Sequence, residues 1–128
     1  MTYLLDVNVL LALLINRHQH HQRVKQWMSK LDKNDIMLLC PPCETGFIRL
    51  SHQLYDTDLP ISKQLAIDFA ARSNVRRVPD NQFANALPAW VKNHKQVSDG
   101  HLQAVAAVHH AQLATLDEGI PRAFLLPK

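Results

Sequence analysis

Two rhythms of apolar residues alternate along the chain. Tyr3-Leu4-Leu5, Ile36 to Cys40 and Leu113 to Leu116 are short runs dominated by apolar residues, the pattern of strands buried on both faces. Between them the spacing becomes helical. Val24, Trp27, Met28 and Leu31 fall at i, i+3, i+4 and i+7, one apolar stripe of a surface helix within His20 to Leu31. After Pro41-Pro42, the residues Cys43, Phe47, Leu50 and Leu54 repeat in the same way, which puts Glu44 in a first helical turn. Asn8 precedes a Leu-rich helix from Val9 to Ile15, and Pro60 and Ser62 open another that runs through Leu65 and Phe69 to about Arg72. Val75 to Val78 reads as a short strand closed by Pro79-Asp80.

Ser98 reads as the N-cap of a helix that carries Leu102, Val105 and Ala106 on one face and runs to about His110, with Asp99 in its first turn. Ala123 to Leu126 reads as a last short strand, whereas Asn81 to Lys95 shows no period. Strands alternating with helices predict an α/β class: a single domain over residues 1–128, three layers deep, with a central, mostly parallel sheet of four or five strands. Ligands of such sheets bind beyond the carboxyl ends of the strands, where Asp6 and Asp117 stand.

Composition narrows the class without naming a function. With 47% hydrophobic and 20% charged residues, 3 Gly and 7 Pro, the chain can bury a core and is no disordered tail. A net charge of +3 permits a polyanionic partner but does not require one. The apolar runs are far shorter than the roughly 20 residues of a membrane span, and Asp6 comes too early for a secretory leader, so a soluble cytoplasmic protein is expected. Cys40 and Cys43 cannot staple a large loop.

Four acids share a peculiarity of position: Asp6 and Asp117 at strand ends, Glu44 and Asp99 in first turns of helices. Carboxylates crowded into one cleft repel one another and raise one another's pKa unless a cation neutralises them. Hard oxygen ligands select Mg²⁺ or Mn²⁺, one ion or two, over zinc. An ion so held can bind a phosphate oxygen and lower the pKa of water, which is the chemistry of phosphodiester hydrolysis.

Three blocks in order, YLLDVNVLLALL, CPPCETGFIRL and SDGHLQAVAAVHHAQLATLDEG, span nearly the whole chain and resemble the PIN-domain ribonucleases, particularly VapC toxins of type II toxin–antitoxin pairs. The resemblance implies a PIN-like fold in which Asp6, Glu44, Asp99 and Asp117 form the Mg²⁺ or Mn²⁺ site, with Asn8 and Thr115 as polar supports. It implies endoribonuclease activity leaving 5′-phosphate and 3′-hydroxyl ends, a homodimer, and a cognate VapB-like antitoxin whose C-terminal segment lies over the cleft. Arg49 and the group Arg72, Arg76 and Arg77 are candidates for gripping RNA phosphates. Gly100 and His101 depart from the pattern, since an aromatic residue or Ala often follows the third acid.

Three other readings compete. Cys40-Pro-Pro-Cys43 before a helix is the setting of a thiol–disulfide oxidoreductase, although that leaves the four acids unexplained. His18, His20 and His21, or His109 and His110, suggest zinc, but neither group has ligand spacing and surface exposure suits both better. A PIN-like module that binds RNA or protein without cutting is the third.

Overall fold

Leu4 and its neighbours Tyr3 and Leu5 point to opposite faces of the sheet, yet all three are buried, so strand β1 (Thr2–Leu5) is covered on both sides. The computed structural model describes residues 1–128. In chain order β1 is followed by helices α1 (Val7–Leu14) and α2 (His21–Ser29), strand β2 (Ile36–Leu39), helices α3 (Pro41–Tyr55) and α4 (Leu59–Ala70), and strand β3 (Val75–Arg77). Helix α5 (Val97–Val108) and strands β4 (Gln112–Thr115) and β5 (Phe124–Leu125) complete the fold. The sheet has five strands in the order β3-β2-β1-β4-β5, and every pair is parallel. No helix is long and apolar enough to cross a membrane.

The pleat sorts the core into two layers. Tyr3, Leu5, Met37, Leu39 and Ala114 face α1 to α4 and pack with Leu10, Trp27, Phe47 and Phe69. Leu4, Leu38 and Leu113 face α5, whose Leu102, Val105 and Ala106 close the other side. The arrangement is the three-layer α/β/α sandwich expected from the alternating rhythms, with the sheet fully parallel and five strands wide. Met28 and Leu31, the outer members of the α2 stripe, pack against the larger core as well.

Several boundaries differ from those expected. Helix α1 begins at Val7, because Asp6 accepts the Val7 N–H and caps the helix directly at the strand end. Helix α4 stops at Ala70, helix α5 at Val108, and β4 at Thr115. Ser98 is not an N-cap. A turn at His94–Gln96, stabilised by the Lys95 N–H donated to Asn93 Oδ1, runs straight into α5, so Ser98 already lies within the first helical turn. The aperiodic stretch before it is folded against α5. There a Cβ on Gly100 would lie 2.3 Å from Val91 Cγ2 and 3.3 Å from Pro88 Cδ, which gives the glycine its reason: any larger residue forces the Val91 side chain out of its place.

Candidate active site

The order β3-β2-β1-β4-β5 places its switch point between β1 and β4, where successive connections leave to opposite sides. Asp6 follows β1 and Asp117 comes two residues after β4, so both acids stand at the mouth of that crevice. The Asp6 backbone N–H still bonds to Ala114 O at 2.9 Å, holding the residue to the sheet ladder as its side chain turns outward to cap α1. Asp6 is only 4% exposed. Its Oδ1 accepts the Val7 N–H at 2.7 Å and its Oδ2 accepts the Thr115 hydroxyl at 2.7 Å. Burial pushes its carboxyl above the usual range, against those two hydrogen bonds, and the charge of Asp117 adds to the rise.

Thr115 is the centre of a small network. While donating to Asp6, its hydroxyl oxygen accepts the Asp117 N–H at 3.0 Å and, at 3.4 Å, the Asn8 side-chain amide. Asn8 Oδ1 in turn accepts the Leu116 N–H at 3.2 Å, so one turn of α1 is tied to the end of β4 across 107 residues or more of sequence. Thus Asn8 and Thr115 stand beside the acids as the sequence suggested, with contacts that fix both a side chain and the backbone before Asp117.

Asp99 reaches the same place from α5. Its pKa is raised to about 6, first by burial, then by the charges of Asp6 and Asp117 and by a side-chain hydrogen bond with Asp117. None of Asp6, Asp99 and Asp117 enters an ion pair with a basic side chain. Three acids are therefore brought together with their charge uncompensated. The fourth is not. Glu44 does lie in the first turn of α3, but Arg77 at the end of β3 grips it bidentately, Nε to Oε2 at 2.9 Å and Nη2 to Oε1 at 2.7 Å. As the side chains stand, no three His, Cys, Asp or Glu groups converge closely enough to hold one ion.

The raised Asp99 pKa has a measurable consequence. In the unfolded chain a carboxyl titrates near 3.9, so between about pH 4 and pH 6 the native state keeps a proton that the unfolded state has lost. The stability this confers is complete below about pH 4 and is lost as pH rises through about 6. Asp99→Asn removes the effect. In chelator at pH 7.5 the variant is expected to melt about 2–5 °C above wild type, a figure already discounted for the half-exposed setting, and the gap should close by about pH 4. Equal melting temperatures across that range would show that the fold does not raise the Asp99 carboxyl.

Asp6 and Asp99 open onto a cleft of about 810 Å³ between α3, α5 and the segment Asn81 to Lys95. Arg49 of α3 lines it, exposed and without an ion-pair partner. The other arginines are elsewhere engaged: Arg77 on Glu44, Arg76 on the carbonyls of Ser73 and Val75, and Arg72 over the Phe69 ring at 5.3 Å. The aromatic pair of the aperiodic segment divides. Trp90 is half-buried and donates to Gln103 Oε1 at 2.6 Å, while Phe83 is 77% exposed on the cleft wall. Asp80 and His101, which the sequence reading did not single out as a pair, meet at 2.5 Å and fasten that segment to α5. Only the fold joins residues on such unrelated elements.

Cys40 and Cys43 lie 3.4 Å apart, both buried, with the Cys43 thiol donating to Leu5 O at 2.9 Å. Neither sulfur is open to a substrate. The histidines expected at the surface are mostly half-buried loop fasteners: the His20 N–H donates to His18 Nδ1, His21 Nδ1 pairs with Ala12 O, and His109 Nε2 pairs with Pro79 O. His110 alone among these groups is exposed, at a left-handed φ of 54° just past α5.

A three-layer fold with a fully parallel five-stranded sheet and acids gathered at its switch point defines a known class. Residues 3–124 match the PIN domain family, and the chain belongs to that family, in its VapC branch. Among its relatives, Ribonuclease VapC29 of Mycobacterium tuberculosis is 36% identical across 94% of this chain and 89% of its own length. Ribonuclease VapC44 of the same organism is 34% identical over the same shares. Two solved structures share the fold at low identity. Mycobacterium tuberculosis VapC20, described as a sarcin–ricin loop cleaving toxin, superposes with a TM-score of 0.72 at 12% identity, covering 98% of this chain and 99% of that one. VapBC2 from Rickettsia felis, bound to a DNA fragment from its promoter, superposes at 0.62 and 16%, covering 98% and 97%.

Proposed function

We propose that the protein is a Mg²⁺- or Mn²⁺-dependent endoribonuclease, the toxin of a VapBC-like toxin–antitoxin pair, acting in the cytoplasm. Relatives called ribonucleases across nearly their whole length support the activity. The observation that carries it is the uncompensated gathering of Asp6, Asp99 and Asp117 at the sheet's switch point.

The donor set fits a hard cation. All three groups are oxygen donors, burial and repulsion already disfavour the bare charges of Asp6 and Asp99, and no Lys or Arg neutralises any of the three. Magnesium commonly takes one or two carboxylates and keeps waters for the rest, so a closed protein cage is not needed. Asp6, Asp99 and Asp117 would hold the ion, and Glu44 would join them only on leaving Arg77. When bound, the ion supplies charge neutralisation at the phosphate and a water of lowered pKa.

The chain's own residues do the rest. Thr115 and the Val7 N–H hold the Asp6 carboxylate in one orientation, and Asn8 locks the end of β4 that carries Asp117. Arg49, exposed in the same cleft and without an ion-pair partner, is available to bind a backbone phosphate, so affinity should weaken as salt rises. Arg72 and Arg76, held on Phe69 and on nearby carbonyls, have less to offer RNA, and Arg77 would be released if Glu44 moved. A VapB-like antitoxin occluding the cleft, with an Arg reaching the acids through charge-assisted hydrogen bonds, and a homodimer complete the proposal.

The test is cleavage of total cellular RNA by the purified protein, freed of any co-purifying partner, with Mg²⁺, with Mn²⁺ and with EDTA. Discrete fragments with 5′-phosphate and 3′-hydroxyl ends, lost in EDTA, are expected. Intact RNA in every condition would leave a PIN-like binding module without catalysis, and cleavage undiminished by EDTA would remove the metal.

A further inference from the structure

Phe83 is the one aromatic side chain among the large apolar residues left exposed, and it stands in the cleft that contains Asp6 and Asp99. Leaving a phenyl ring 77% in water forgoes most of the free energy its burial would bring, so the position calls for a ligand or for chance. Chance would suit a floppy tip. This residue instead sits at the start of a tight turn whose Ala86 N–H returns to Phe83 O at 2.9 Å. The strand side of the loop is fastened too: Asp80 accepts the Gln82 N–H at 3.1 Å on one oxygen and meets His101 at 2.5 Å on the other. The ring is therefore presented from a fixed backbone.

Its surroundings indicate what it meets. Gln82 beside it lines the same cleft with an amide, and of the large apolar residues that share the lining only Val97 is also exposed, a smaller apolar surface than a protein partner would cover. An amide beside an open aromatic face suits a nucleobase, which stacks by its face and hydrogen-bonds by its edge. The unpaired guanidinium of Arg49 lines the same cleft, and so do Asp6 and Asp99. One cavity thus offers a site for each part of a nucleotide: acids for the cation-bridged phosphate, a guanidinium for a neighbouring phosphate, and a ring for the base. Its volume of about 810 Å³ is ample for such a unit.

We infer that Phe83 is a stacking platform that binds an unpaired base of the RNA next to the cleaved bond and so selects single-stranded over duplex substrate. This rests on the nuclease reading of the same cleft. Because an exposed ring contributes little to the core, Phe83→Ala should fold and melt as wild type does.

The experiment measures binding, so that it stands apart from the cleavage test. Full-length Asp6→Asn protein in Mg²⁺, which should bind without cutting, is titrated into a labelled mixed-sequence single-stranded oligoribonucleotide and into the matching RNA duplex. Added Phe83→Ala is expected to weaken single-strand binding about 5- to 100-fold, Phe83→Trp to preserve it, and Phe83→Leu to behave like Ala. Duplex binding should be unmoved. The inference is overturned if Ala binds the single strand as Phe does, if Leu substitutes fully, if duplex binding falls equally, or if the Phe83 protein binds no single strand. Loss of a co-purifying protein partner with RNA binding intact would assign the ring to protein docking instead. Fragments from wild-type protein together with unaffected binding by Phe83→Ala would sink the platform and spare the nuclease.

Discussion

Asp6→Asn is expected to lower RNA cleavage by about 10²-fold or more while leaving the protein folded, since a ligand charge that stabilises a phosphoryl transition state contributes several kcal/mol. The substitution changes charge and little else. The single asparagine oxygen can still accept the Val7 N–H that caps α1, on Asp6 Oδ1 at 2.7 Å, while its amide nitrogen takes the place of Oδ2 and turns the 2.7 Å bond with Thr115 round, donating to the hydroxyl oxygen. Stability should hold or rise, because burial already works against the Asp6 charge. Cleavage rates and melting curves measured on one preparation separate the outcomes. Full activity in Mg²⁺ would refute the assignment of Asp6 to the site, whereas a collapsed melting curve would assign it to the fold alone.

Thr115→Val should cost activity and stability together. Valine matches threonine in shape but removes the donor to Asp6 and the acceptor for Asp117 and Asn8 at a position with no solvent exposure. Leaving buried polar groups unpaired costs about 1–3 kcal/mol, and loosening a group that orients ligands lowers activity about 10- to 100-fold. Thr115→Ser supplies the contrast. It keeps the hydroxyl and deletes a methyl, so activity should stay near wild type even if melting falls slightly. If the serine variant fails as badly as the valine one, packing matters at this position and the hydrogen-bond network does not.

Much of this architecture could be read along the chain. The buried strands announced themselves because a parallel sheet covered on both faces tolerates few polar residues: Leu4 and Leu5 needed no alternation. The stripe on α2 and the positions of Glu44 and Asp99 in first turns followed from helical periodicity and held. Ser98 misled because a preferred capping residue also occurs within a first turn, and only the preceding turn at His94–Gln96 shows where the helix starts. The stretch from Asn81 to Lys95 was illegible for a different reason. It has no period to detect, since it is shaped by single contacts, Val91 over Gly100, Trp90 on Gln103 and Asp80 on His101.

The site divides along the same line. Sequence alone determined that acids stand at strand ends and helix starts, because local periodicity fixes where a strand ends and a helix begins, and those ends are where a doubly covered sheet exposes side chains. What only the tertiary structure decided is which of them meet. Asp6, Asp99 and Asp117 come within reach of one another's charge because β1 and β4 are neighbours in the sheet, a pairing between segments more than a hundred residues apart. Glu44, equally well placed by local rules, is taken by Arg77 because β3 lies on the far side of β2 from that pair. Phe83 stays in water for the same reason: burial is a property of what the rest of the chain brings to a residue, and at that position the fold brings only the walls of the cleft.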